Sequence, residues 1–383
     1  MKIVCFSEIQ WRYVRTRKQQ ILSRLPDDWE ILFLSSVVRG RRNNFLPERD
    51  GRIVHVCIPV FKNVPQRFLR LVFSWPIVRF LWNVVLWLWL QVIFLVTGFT
   101  SRERVFYVSN IYYARLFPVL HRGLLLYDCN DDPLGFPGTP TWAAAYFQKL
   151  VRSADTLTAV SSGLVERLRG AGAGAVRLVG NGVDFDVFQE AAARGIPDEM
   201  RDLGRPVIGY AGAIAHWFDF ALLDRVAAAF PAASIVLVGP LYLDLRAAME
   251  EITARHGNIV LLGTKPYGEL GRYIAAMDVC LIPLQVNELR RVADPNKLYE
   301  YAACGRPIVT MAYSDDIRAL SELVYIAENH EEFITKVREA LERGADGDRL
   351  TAFAKNRSWQ ARADEMASLI RERAGARGRK ESV

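Results

Sequence analysis

The stretch from Asp294 to Pro307, DPNKLYEYAACGRP, holds the residue types in this chain best suited to chemistry. A Pro ahead of a helix-forming run and a Gly closing it describe a short helix, and the free backbone N–H groups of its first turn favour a bound anion. Asp294, Pro295 and Asn296 form the entry to that helix, and Lys297 stands in its first turn. A cation beside a helix N-terminus suits a diphosphate. Glu300, three residues on, shares the helix face with Lys297 and is placed to accept hydrogen bonds from ribose hydroxyls. The structural alternative makes Lys297 a solvated lysine and Glu300 its i,i+3 partner.

Three other places offer matching chemistry. Gly212, in YAGAIAHW, follows an apolar run, where a residue without Cβ lets backbone N–H groups approach a phosphate, or else simply makes a tight turn. Lys265, in GTKPYGEL, follows another apolar run and offers a second cation; Tyr267 beside it can flank a nucleotide base or pack at a helix start. In LLLYDCNDDPLGF, Asp128, Asp131 and Asp132 put three carboxylates within five residues, and their repulsion is expected to raise the pKa of at least one toward the range of a general base. Asp131 and Asp132 are the candidate catalytic residues, with a capping or solvated-turn role as the alternative for each. His216 has no second His at metal-ligand spacing, so no metal site is expected. The five cysteines, scattered and without a C-x-x-C pair, read as buried thiols of a reducing compartment.

These residues need elements to position them. Short apolar runs alternate with helical patterns from the first residue, the pattern of a parallel α/β sheet. One series of strands runs from Lys2–Phe6 to Leu157–Val160, and a second from Val207–Ala211 to Ile308–Met311. The reading is two Rossmann-like α/β domains, 1–185 and 206–357, with the polar, alanine-rich stretch between them as linker. A closing helix over 358–372 and a frayed tail over 373–383, poor in apolar residues, complete it.

At 383 residues, half of them hydrophobic, two domains each able to bury a core are expected and a disordered chain is excluded. The net charge of +7 is uneven: the first 125 residues carry 19 Lys and Arg against 7 Asp and Glu. That surplus calls for an anionic partner. With no helix-turn-helix, zinc knuckle or RNA-binding signature, nucleic acid is not expected, which leaves an anionic membrane surface. Phe80 to Phe99, FLWNVVLWLWLQVIFLVTGF, is long and apolar enough to cross a bilayer, but strands before and after it belong to one sheet. The reading is a crossover helix packed on the sheet and lying in the lipid interface, with Trp75, Trp82, Trp87 and Trp89 and the flanking Arg67, Arg70, Arg79, Arg102 and Arg104 at the headgroups. The opening MKIVCFSEIQ reads as a strand without the features of a signal peptide, so a cytoplasmic protein, peripheral on the inner face of the membrane, is expected.

The string P-x-K-x-x-E-Y-x-A-x-G-x-P-I-V resembles the donor signature of GT-B glycosyltransferases of the large group-one, family-4-like type, in the branch that builds bacterial cell-surface polysaccharide. The resemblance extends to SADTLTAVSSGLVERL, to the N-G-V-D turn of VRLVGNGVDFDVF, to VIGYAGAIAHWFDFALL and to RSWQARADEMASLI, so it spans most of the chain. It implies two Rossmann-like domains facing each other across a cleft (GT-B), a nucleotide diphosphate sugar as substrate, a lipid-linked or glycan acceptor, no cofactor and no bound metal. It also implies a ribose contact for Glu300. Near the N-terminus, IQWRYVRTRKQQIL resembles the family's acceptor-facing loop and helix, where Trp11, Arg15, Arg17 and Lys18 would meet an anionic acceptor. One departure stands out: the family's first glutamate of a pair is Val292 here, so Asp294, Asn287 or Glu288 must replace its contact or it is missing. Retaining and inverting transfer both stay open, as does a degenerate scaffold that only binds a nucleotide sugar.

Overall fold

Runs of Val, Ile, Leu and Phe become strands buried on both faces, as parallel sheets covered by helices require. The computed structural model describes residues 1–12, 15–38, 42–62, 75–120, 122–136 and 138–381. Two units divide the chain, Met1–Gly180 with Arg362–Val383, and Asn181–Ala361.

In the first unit the strands are β1 (Lys2–Ser7), β2 (Glu30–Val38), β3 (Glu48–Asp50), β4 (Ile53–Lys62), β5 (Val105–Val108), β6 (Leu124–Cys129), β7 (Thr156–Ala159) and β8 (Arg177–Leu178). Among the described residues they form one sheet in the order β3-β4-β2-β1-β5-β6-β7-β8. Only β3 runs antiparallel to its neighbour, with Glu48 opposite His55 of β4. The second unit holds β9 (Val207–Ala211), β10 (Ser234–Val238), β11 (Ile259–Gly263), β12 (Val279–Ile282), β13 (Ile308–Met311) and β14 (Tyr325–Ala327). Among the described residues they pair in parallel in the order β11-β10-β9-β12-β13-β14. The chain moves outward from β9 through β10 to β11, then returns to β12 on the other side. The β9/β12 junction is therefore a topological switch point, where loops part and a crevice forms at the carboxyl ends.

The helix Pro76–Thr97 links β4 to β5. Leu86, Leu90, Ile93 and Phe94 are buried, and Phe94 stacks on Phe106 of β5 at 6.3 Å. The opposite face, Ile77, Phe80, Leu81, Val84, Val85, Leu88, Val92, Leu95 and Val96, is exposed, up to 72% at Leu95. Trp87 is exposed at its edge, and Trp82 and Trp89 are half-buried. Arg104, expected among the interfacial cations, is instead buried: its guanidinium stacks 4.1 Å from the Phe94 ring and donates to the Phe99 carbonyl. Arg102 is exposed, and Arg67 and Arg70 lie outside the described residues.

Three expectations change. Phe185–Ala193, read as linker, is a helix whose Phe188 enters the second core, because Gly271 leaves no Cβ to block the Phe188 carbonyl. The stretch from 373, read as a frayed tail, continues the helix Trp359–Glu381, since Arg, Ala, Glu and Lys propagate a helix without needing a core. Arg17 and Lys18 of the Arg17–Ser23 helix, expected to meet an anionic acceptor, are instead turned into the unit. Arg17, Lys18, Gln19 and Gln20 are buried, Lys18 at 1% exposure in an ion pair with Glu8.

Candidate functional site

In the second unit the site grows from the end of β9. Gly212 has φ +148°, and a Cβ built on it would overlap Lys297 Cε and lie 2.6 Å from Lys297 Nζ. Next to it Gly239, at the end of β10 with φ +144°, would carry its Cβ into the Gly212 carbonyl. Any side chain at either position expels Lys297 or separates the two loops, so these glycines are demanded by contact as well as by backbone angle. Lys297 Nζ lies 5.3 Å from the centre of the Tyr210 ring, a cation resting on an aromatic face.

Lys297 and Glu300 belong to the helix Asn296–Ala303, with Pro295 as its N-cap in extended conformation. The Tyr301 hydroxyl fixes this helix across the switch point: it donates to the Ala211 carbonyl at 3.2 Å and accepts from the Ala211 N–H at 2.8 Å. Glu300 is half-buried. Burial pushes its pKa up to about 7, Lys297 opposes the shift and Asp184 adds to it. A carboxyl group kept from water with a cation one turn away is a group in want of a hydroxyl donor.

Other residues expected here have different partners. Asp294 accepts from the Asn181 N–H (2.6 Å) and the Tyr299 hydroxyl (2.8 Å), anchoring the helix entry rather than standing open. Lys265 is ion-paired with Glu199 at 2.6 Å, which raises its pKa. Tyr267 packs edge-on against Phe188 at 5.4 Å, the packing alternative. Asn287 caps the short helix Glu288–Arg291, Glu288 pairs with Arg291 at 3.0 Å, and Val292 ends that helix. His216 pairs with Asp244 at 2.9 Å. Asn296 is exposed at the first helical position. Gly212, Lys297 and Glu300 are thus the residues brought together. Tyr210, Gly239 and Tyr301 complete the site and were missed; an apolar strand followed by Gly-Pro at 239–240 was the readable signal for one of them.

A cavity of about 700 Å³ opens near the ends of β12, β13 and β14, lined by Asp219, Gln285, Met311, Glu328 and His330 among others. His330 Nε2 lies 2.8 Å from Asp219 Oδ2 at its wall. None of Gly212, Lys297 or Glu300 lines it, so chemistry rather than size marks the site.

In the first unit the three aspartates do not act together. Asp128 is 1% exposed and takes two bonds from Arg17, at 2.8 and 3.1 Å, one from Thr158 at 2.7 Å and one from the Tyr107 hydroxyl. Burial alone would raise its pKa, but the Arg17 charge and these donors outweigh it and the pKa falls, opposite to the expectation from like-charge repulsion. Arg17 also donates to the carbonyls of Val179 and Gly180 at 2.8 and 2.7 Å, so it ties β6 to the chain after β8 and is not available to an acceptor. Asp132 accepts from the Leu134 N–H at 2.9 Å and pairs with Arg167 at 3.3 Å; Asp131 is exposed. Trp11 donates its indole N–H to Asp50 at 3.2 Å, and Arg15 is exposed.

Known proteins resemble this chain in part of its sequence and in its fold. Residues 205–343 match the family described as Glycosyl transferases group 1. TuaH of Bacillus subtilis (strain 168), whose name places it in teichuronic acid biosynthesis as a glycosyltransferase, is 27% identical over 201 residues, 48% of this chain and 49% of that protein. The matched part thus spans about half the length of that relative. Among solved structures, the trehalose-6-phosphate enzyme of E. coli bound with UDP-2-fluoro glucose superposes with a TM-score of 0.75 at 10% identity, over 97% of this chain and 99% of the other. Sucrose-phosphate synthase of Thermosynechococcus elongatus gives 0.73 at 14% identity over 98% and 99%. HepE of Anabaena in complex with UDP gives 0.68 at 15% identity over 97% and 100%. The fold class is GT-B, two Rossmann-like parallel-sheet units in one chain.

Proposed function

We propose that this chain, whose residues 205–343 match the group 1 glycosyl transferases, moves a sugar from a nucleotide diphosphate sugar to a lipid-linked or polysaccharide acceptor in cell-surface glycan synthesis. The observation that carries this reading is the Lys297 ammonium pressed against the Cβ-less turn at Gly212, with the desolvated Glu300 one turn along. Lys297 and the helix N-terminus meet the charge of the departing diphosphate, and no resident metal or cofactor enters the reading. Ionised Glu300 accepts from the ribose hydroxyls. UDP is the first nucleotide to try, because two structurally similar proteins were solved with UDP or a UDP sugar. On the acceptor side, exposed Asp131 with Asp132 beside it is the candidate base.

The exposed apolar face of Pro76–Thr97 supports a peripheral seat on the inner face of the cell membrane. The helix is about 33 Å long at 1.5 Å per residue, its apolar face is bordered by Trp82, Trp87 and Trp89, and the first 125 residues carry the positive surplus that anionic lipid attracts. A second reading, a nucleotide-sugar-binding protein without transfer, is favoured by Val292 and by the engagement of Asp294 with Asn181 and Tyr299. Release of nucleoside diphosphate from a panel of nucleotide sugars, with membrane lipid extract as acceptor, tests the proposal. Turnover in the wild type and its loss in Lys297→Ala support transfer. Binding of a nucleotide sugar without turnover under any acceptor condition supports the second reading.

A further inference from the structure

A smaller cavity in the first unit, about 270 Å³, is walled by Gln10, Trp11, Arg12, Arg42, Glu48 and His55. The loop after β1 supplies Gln10, Trp11 and Arg12, and the edge pair β3 and β4 supplies Glu48 and His55, which oppose each other in the ladder. The Trp11 ring is set by an edge contact with Phe33 at 5.1 Å. At about 270 Å³ the cavity lies just under the roughly 300–1,000 Å³ of ordinary small-molecule pockets, a size suited to one sugar ring.

The wall is built for hydroxyl groups. His55 is 5% exposed, and its Nδ1 lies 3.1 Å from the Asn44 side-chain amide nitrogen, which has only hydrogens to offer. Nδ1 therefore accepts, and the proton of the neutral ring sits on Nε2. That Nε2 is buried with no hydrogen-bond partner among the described residues; Glu48 Oε2, 3.9 Å away, is too far for a hydrogen bond. Burial and then Arg12 hold the ring below its ordinary pKa against Glu48 and Asp50, so the donor is an uncharged N–H at neutral pH. Arg12 reaches Glu48 at 3.4 Å and Arg42 reaches it at 3.6 Å, both longer than a close charged pair. With one long hydrogen bond, from Arg12, this carboxylate keeps acceptor capacity for a hydroxyl that approaches from the cavity. Arg12 and Arg42 are offset by Glu48 in the wall and by Asp50 behind it, which holds the Trp11 indole N–H, so the surroundings as a whole carry no net charge.

We propose that this pocket binds a neutral sugar ring of the glycan acceptor, with Glu48 and His55 taking its hydroxyls and the Trp11 ring covering its apolar face. The inference rests on the glycosyltransferase reading for the word acceptor, but the binding itself does not depend on it. Saturation-transfer NMR and calorimetry on the full chain use methyl glucoside and methyl N-acetylglucosaminide as neutral probes, methyl glucuronide as the charged one, and UDP and GDP in parallel. A neutral glycoside should bind the wild type, at least tenfold more weakly in Glu48→Gln, with no response in Trp11→Ala and nucleotide affinity unchanged in both. Glu48→Gln keeps shape and so decides the matter if Trp11→Ala loses its melting transition. No neutral glycoside bound by the wild type, equal binding by Glu48→Gln, or a preference for the glucuronide overturns the proposal. Glycoside binding without any nucleotide binding leaves this site standing and overturns the donor reading instead.

Discussion

Glu300 offers the sharpest quantitative test, because its environment sets both a sign and a size. Burial holds its proton to about pH 7 in place of the ordinary 4.5, even with Lys297 nearby. The ionised form is thus disfavoured by roughly 3 kcal/mol relative to water. A ribose diol needs an acceptor, so nucleotide binding is linked to loss of this proton. At pH 8 the carboxylate is mostly formed; at pH 6 about nine in ten are protonated, and affinity should fall about tenfold, ~1.4 kcal/mol. Glu300→Gln removes the titration and, at pH 8, a charged hydrogen bond of about 1.5–3 kcal/mol. Calorimetric titration of the nucleoside diphosphate at half-unit steps from pH 6 to 8 reads both effects. The terminal phosphate titrates near pH 6 itself, and the variant run in parallel subtracts it. Without nucleotide the sign reverses: a carboxyl group whose pKa is raised on folding stabilises the fold while it is protonated. That contribution is lost as pH rises from 4.5 to about 7. The wild-type Tm should therefore fall over that window relative to Glu300→Gln. Identical pH slopes of affinity in wild type and variant would refute the assignment of Glu300 to the ribose.

Other outcomes follow from the same contacts. Gly212→Ala should weaken nucleotide binding at least tenfold and cost about 1–3 kcal/mol of stability, from a Cβ at φ +148° that overlaps Lys297 Cε; unchanged affinity by calorimetry would remove Gly212 from the site. Asp128→Ala leaves Arg17 buried without its carboxylate and should cost about 3–5 kcal/mol in denaturant unfolding. In the wild type that ion pair is fully present above pH 3.8, the ordinary value, and is lost on acidification below it. Leu88→Ser with Val92→Ser changes two exposed side chains, so the Tm should hold while binding to anionic phospholipid vesicles falls by tenfold or more. Vesicle binding equal to wild type would place the contact elsewhere.

The strands that carry apolar runs were legible in the sequence, and so was the Lys297–Glu300 helix, because Pro, Lys, Glu and Gly stand at positions with a direct backbone meaning. Strands β3, β8 and β14 were not, since ERD, RL and YIA are too short to show a period. The basic run at Arg17 and Lys18 misled because a charge run usually marks a solvated face; only tertiary structure supplies Asp128 and Glu8 as partners. Lys265 failed in the same way, as Glu199 is 66 residues away in sequence. The His55 and Glu48 pocket is invisible in sequence for a related reason: its walls come from a loop and from the β3–β4 pair at the sheet edge, brought together by sheet pairing.

The central claim is a donor site built on Lys297, and calorimetric binding of UDP, GDP, ADP and dTDP to the wild type and to Lys297→Ala addresses it most directly. Binding of one diphosphate by the wild type and its loss in the variant, with the Tm of the variant unchanged, is the predicted result. Binding of none of them by the wild type, or equal binding by the folded variant, would contradict it.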